Sequence, residues 1–183
     1  MTSVVGVLLA AGAGRRFGGP KALARDDDGT SWLLRSVQAL RPCGEIVVVL
    51  GAEAERAAAL LPMSVSRIRA DDWAEGMGAS LRAGLSALPP TGHEAALVSL
   101  VDLPDVDSSV VGRLLAAATG PDVLARAAYD GVPGHPVLIG RDHWADVVAT
   151  ATGDRGARDF LSGHEVVLVE CGDLATGTDV DTR

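Results

Sequence analysis

Lys21 is the only lysine in a chain whose other 15 basic residues are arginines, and it closes the stretch Leu8 to Lys21, LLAAGAGRRFGGPK. Arg15 and Arg16 stand in the same stretch, on a loop whose glycines, Gly12, Gly14, Gly18 and Gly19, let another molecule approach the backbone closely. Three cations on one open loop suit a multiply charged anion. They fit a nucleoside triphosphate better than the pyrophosphate of a dinucleotide, which is held mainly by helix-terminal amides. A Walker loop is excluded, because Lys21 lies between Pro20 and Ala22, where that pattern needs glycine before the lysine and Ser or Thr after it.

The carboxylates that could partner such a loop lie far away in sequence. Asp102 follows the apolar run Ala95 to Val101, and a carboxylate at the carboxyl end of a buried strand can hold a divalent cation beside phosphates. Followed by Leu103 and Pro104, its alternative role is that of a turn or cap residue. Asp179 and Asp181 are two apart, so an extended chain turns both to one side. Ser80, where a glycine-rich start gives way to the helical spacing of Leu81, Leu85 and Leu88, is either a ligand contact or a helix cap. His135, between Gly134 and Pro136, reads on its own as a loop residue, and His93, His143 and His164 show no ligand-like grouping. Cys43 and Cys171 lack zinc-site spacing and read as reduced thiols.

Alternating strands and helices must position these groups. Val4 to Val7 predicts a buried first strand, Glu45 to Leu50 a second, Val65 to Arg69 an extended segment, Ala95 to Val101 a central strand and Val166 to Glu170 a last one. Between them, helices are predicted over Leu33 to Leu40, Glu53 to Leu61, the latter part of Trp73 to Leu88, Ser108 to Ala118, Arg141 to Val148 and Gly156 to Leu161. Asp28–Gly29 predicts a small hairpin before the first helix. Asp130–Gly131 predicts another between Val123–Tyr129 and Val137–Ile139. The strand–helix rhythm is that of an α/β protein.

A chain of 183 residues with 48% hydrophobic and 22% charged content is expected to be one domain with a real, aliphatic core, since aromatics are only 3%. The net charge of −8 excludes a body built for nucleic acid or an anionic membrane, so the local basic loop points to a small anion. The N-terminus enters a strand directly and no apolar run reaches spanning length, which predicts a cytoplasmic protein without leader or membrane segment.

Five blocks in order, LAAGAGRRFGGPK, WAEGMGASLRAGL, VDLPD, GHPVL with GDRGAR, and DVDT, resemble the nucleotidyltransferases that attach a nucleotide to the molybdenum cofactor. Ala10 and Ala11, where the guanylyl branch shows alanine then glycine, resemble the cytidylyl branch. Val101 and Leu103 depart from the glycine and glutamine that usually flank the family's metal aspartate. The resemblance implies a three-layer α/β sandwich with a mostly parallel, Rossmann-like central sheet, as in nucleotide-diphospho-sugar transferases. It implies transfer of CMP from CTP to the terminal phosphate of molybdopterin or its metal-loaded form, with Mg²⁺ as cofactor. Ala10, Ala11, Gly12, Gly14, Arg15, Arg16, Lys21, Ser80 and Asp102 would bind the nucleotide, with Lys21, Arg16 and Asp102 carrying catalysis. Asp102 and Asp181 would hold the metal; His135, Asp154 and Arg155 would face the acceptor. The partners implied are CTP, a molybdopterin-type small molecule and a recipient molybdoenzyme, with the chain a monomer or weak oligomer. Three alternatives stay open: a relative using GTP or another phosphate acceptor, a nicotinamide-dependent oxidoreductase similar to nicotine-blue oxidoreductase, and a non-catalytic nucleotide sensor.

Overall fold

The computed structural model describes residues 2–182. Among them seven strands form one sheet in the order β3-β2-β1-β4-β6-β5-β7. The strands are β1 (Val4–Ala10), β2 (Ile46–Leu50), β3 (Ser66–Arg69), β4 (Ala95–Leu100), β5 (Leu124–Tyr129), β6 (Val132–Gly140) and β7 (Val167–Glu170). β1 pairs in parallel with both β2 and β4, and β2 with β3; β6 is antiparallel to β4 and β5, and β7 parallel to β5. The fold is therefore α/β with a mostly parallel mixed sheet. The hairpin makes it mixed: Asp130, at φ 50°, and Gly131 reverse the chain, so β6 returns between β4 and β5.

β1 is buried along its whole length because both sheet faces are covered. Val4, Leu8 and Ala10 pack on one side with Leu33, Val37 and Leu40 of helix α1 (Trp32–Ala39 and its cap) and Leu114 of α4 (Ser108–Leu115). Val5, Val7 and Leu9 pack on the other with Leu81 and Leu85 of α3 (Met77–Ser86), Val147 of α5 (Trp144–Thr150) and Phe160 of α6 (Arg158–Ser162). This period-two alternation gives the three layers. A smaller apolar cluster, Leu103, Val106, Val110, Ala127, Tyr129 and Cys171, underlies the C-terminal segment.

Several predicted boundaries move. The helix over Glu53–Leu61 shortens to α2 (Ala54–Ala58), because Glu53 takes a left-handed φ of 54° and cannot be its first turn. Helices end at Leu115 rather than Ala118 and begin at Trp144 rather than Arg141, the flanking residues 141–143 forming a 3₁₀ turn. Strand β6 begins at Val132 and runs through Gly134–Pro136, where its register with β5 shifts between Arg126 and Ala128. Proline has no N–H to give the ladder, and bulges tolerate that loss. The predicted small hairpin forms with an Arg25–Ser31 bridge, and Ser31 Oγ then caps α1 by accepting from Leu34 N. Both cysteines are free, and burial raises the Cys43 thiol to about 12.

Candidate functional site

The parallel strands β1 and β4 end side by side, so the glycine loop leaving Ala10 and the turn leaving Leu100 open on the same edge of the sheet. A cleft of about 600 Å³ lies there. Its walls include residues 9–17 of the loop, Lys21, Trp73, Met77 and Ser80 beside α3, Asp102, Asp154, Arg158, Asp179 and Asp181.

The loop's shape rests on Gly14. At φ 58°, its carbonyl accepts from both Gly18 N (2.9 Å) and Gly19 N (3.0 Å), folding the chain back so that Lys21 returns to the cleft. A Cβ at Gly14 would overlap the Gly19 carbonyl, so only glycine closes this turn. Phe17, buried and tilted against Trp32 at 4.9 Å between centroids, anchors the loop while Arg15 and Arg16 stay exposed.

At the cleft floor Lys21 Nζ donates to Asp102 Oδ2 at 2.7 Å and to Asp181 Oδ1 at 3.2 Å. Arg16 Nη2 lies 3.5 Å from the other oxygen of Asp181. Burial opposes the charge of Lys21, but its hydrogen bonds and attraction to Asp102 and then Asp181 outweigh burial and hold the ammonium above its usual range. One oxygen of each of Asp102, Asp179 and Asp181 lies within 4.8 Å of the others. Asp102 Oδ1 is buried with no hydrogen-bond partner among the described residues.

Asp102 is thus an ion-paired cleft residue rather than a free turn residue. Ser80 is not a helix cap: Gly76 precedes α3, and Ser80, buried within the helix, lines the cleft. Ala10, Ala11, Gly12, Gly14, Arg15 and Arg16 line it as well. The residues expected to face an acceptor divide. Asp154 lines the cleft, whereas Arg155 reaches Asp159 at 2.8 Å, an i,i+4 pair, and is absent from the lining. His135 is also absent from the lining, and burial first, then the charge of Arg126, push its pKa down to about 4. Asp179, noted with Asp181 for its two-residue spacing, and Arg158, the last residue of the GDRGAR block, also line the cleft. Arg158 is set off from Asp154 by Gly156 at φ 54°.

The fold and cleft define an α/β protein whose candidate site lies at the carboxyl edge of its parallel strands. The chain belongs to the MobA-like NTP transferase family, whose domain matches residues 6–167. It is similar to nicotine blue oxidoreductase of Paenarthrobacter nicotinovorans, 40% identical over 196 residues that span 98% of this chain and 92% of the relative. A probable molybdenum cofactor guanylyltransferase of Rhodopirellula baltica is 39% identical over 105 residues, 56% of this chain and 50% of that one. Among solved structures, a homolog of Mycobacterium tuberculosis Rv0371c from Mycobacterium sp. strain JC1 superposes with a TM-score of 0.83 at 30% identity, covering 100% of this chain and 92% of that one. A manganese complex of M. tuberculosis Rv0371C superposes at 0.76 with 25% identity, covering 98% and 94%.

Proposed function

We propose that this protein transfers CMP from CTP to the terminal phosphate of a molybdopterin-type acceptor, releasing pyrophosphate. The carrying observation is the convergence of Lys21, Arg16 and three aspartates beneath the glycine loop. An acceptor phosphate is already ionised at neutral pH, so its oxygen attacks the α-phosphorus without a side-chain base, and the bond to the leaving pyrophosphate breaks. The protein's task is then alignment and neutralisation of charge. Arg15, Arg16 and the loop amides would hold the β- and γ-phosphates. Lys21 would move from the carboxylates to the departing oxygens. Ser80 would lie against the base or ribose, and Asp154 with Arg158 would meet the acceptor across the cleft. His135 and Arg155 stand outside the lining, so in this reading they act on the acceptor only through their neighbours.

The carboxylate cluster fits a divalent cation. It offers one hard carboxylate oxygen from each of three residues within 4.8 Å of one another, and Asp102 also carries a buried Oδ1 with no hydrogen-bond partner among the described residues. Asp102, Asp179 and Asp181 would hold Mg²⁺ or Mn²⁺, which supplies charge neutralisation at the phosphates.

CTP is favoured over GTP by the resemblance at Ala10 and Ala11, which line the cleft, Ala11 standing where the guanylyl branch carries a glycine. A second reading, nicotinamide-dependent reduction, is favoured by the 40% identity to nicotine blue oxidoreductase over nearly the whole chain. Thermal unfolding with CTP, GTP, ATP and NADPH, each with and without Mg²⁺, separates them. A ligand at a hundred times its dissociation constant adds about 2.7 kcal/mol, a clear upward shift. The expected result is the largest shift with CTP plus Mg²⁺; a metal-independent shift with NADPH alone would establish the second reading.

A further inference from the structure

Two of the three clustered carboxylates arrive on the segment after β7, whose described residues form no helix or strand of their own. Its docking can be followed residue by residue. Cys171 N donates to Ala128 O at 2.7 Å, and Arg113 of α4 pairs with Asp173. Thr176 donates through its amide and hydroxyl to Asp105 Oδ2, at 2.6 and 2.7 Å. Val180 N donates to Asp102 O at 3.1 Å, joining the segment to the same residue whose side chain its aspartates face.

Between Thr176 and Val180 the chain passes Tyr129, the only tyrosine in the sequence. Tyr129 is 7% exposed, and its ring lies against two glycines. A Cβ on Gly134 would come to 2.8 Å from the ring, and one on Gly177 would overlap it. Gly177 is also at φ 63°, a conformation other residues adopt only with strain. The hydroxyl donates to His135 O at 2.6 Å, fixing the ring to the bulged part of β6. A flat face with no side chain opposite it sets how close the segment lies to the sheet, two residues before Asp179.

We propose that Tyr129 and Gly177 form a clasp that positions Asp179 and Asp181 against Asp102, making Tyr129 a positioning residue for the carboxylate cluster. This rests on the reading that the three aspartates share a divalent cation. Groups that orient ligands in this way typically change metal affinity by about tenfold to a hundredfold when altered.

Two readouts on the full chain test it: Mn²⁺ binding followed by electron paramagnetic resonance, and hydrogen exchange of the Val180 amide without metal. Gly177→Ala is expected to raise the Mn²⁺ dissociation constant by about tenfold or more and to accelerate Val180 exchange similarly. Tyr129→Phe keeps the ring and is expected to stay within about twofold on both. Combined with Tyr129→Leu, which removes the flat ring, Gly177→Ala adds less than it does alone, because the overlap is gone. In an Asp179→Asn/Asp181→Asn background it leaves the remaining Mn²⁺ affinity unchanged. Mn²⁺ affinity and Val180 exchange at parental values in Gly177→Ala, or in Tyr129→Leu should the first variant not fold, overturn the clasp. If the parent protein binds no Mn²⁺ while Gly177→Ala still frees the Val180 amide, the clasp holds the segment and the metal reading of the cluster is what fails.

Discussion

Replacing Lys21 with methionine is expected to strengthen metal binding in the absence of nucleotide while abolishing most turnover. The ammonium contacts Asp102 at 2.7 Å and Asp181 at 3.2 Å, with the lysine and Asp102 side chains only 14% and 15% exposed. These are two of the three carboxylates that a cation would use. A divalent ion entering the cluster meets the lysine's charge at about 4 Å, and the repulsion is about 2 kcal/mol even at the dielectric of water. Removing it corresponds to roughly thirtyfold tighter Mn²⁺ binding in dilute buffer, decreasing as salt screens the charges. Methionine also leaves Asp102 without its ammonium, so the metal-free variant is expected to lose about 1 to 3 kcal/mol of stability and regain it on adding Mn²⁺. Turnover is expected to fall about a hundredfold or more, the scale of one lost preorganised charge. The assay is a Mn²⁺ titration of chelator-treated protein followed by electron paramagnetic resonance, with thermal unfolding in parallel. A folded variant that binds Mn²⁺ no better than the parent would falsify the idea that lysine and metal share these carboxylates.

Two further outcomes follow from backbone geometry and burial. Gly14→Ala places a side chain at φ 58° against the Gly19 carbonyl. The left-handed conformation alone costs about 1 to 2 kcal/mol, and calorimetry is expected to show nucleotide binding weakened by about tenfold or more; an unchanged dissociation constant would mean that this turn does not form the binding surface. His135 is held neutral in the folded protein, with its pKa lowered to about 4, mainly by burial and then by Arg126. The unfolded chain binds the proton more readily, so the folded state loses stability as pH falls from the ordinary histidine value, about 6.5, towards 4. The loss from this group approaches about 2 to 3 kcal/mol, and His135→Gln should flatten that part of the denaturation-versus-pH curve; an identical slope in the variant would show the imidazole to be freely protonated in the folded state.

The parallel half of the sheet was readable because β1, β2 and β4 are short apolar runs, each handed to a glycine or aspartate at its carboxyl end. Alternation within β1 is hidden in sequence, since both faces are buried, and only the packing of α1 against one face and α3 against the other reveals it. Lys21 could be singled out by rarity, and Asp102 by its place after a strand. Their 2.7 Å contact follows directly once β1 and β4 are neighbours. Arg155 belongs to a block that resembles the acceptor side of the family, yet it ends a 3₁₀ turn and pairs with Asp159 of α6 across the left-handed Gly156, a local contact that uses its charge outside the cleft. Asp179 and Asp181 are marked in sequence by their spacing alone. Two aspartates in an extended segment carry no local preference for any partner, and what brings them to a residue almost eighty positions earlier is the tyrosine–glycine clasp together with Thr176 and Val180. Each of those contacts joins positions separated by long stretches of sequence, where periodicity and turn chemistry give no information. The half of the cluster that sequence reading found least easily is therefore also the half whose geometry depends most on tertiary packing, and it is the half that a single added methyl group at Gly177 should disturb first.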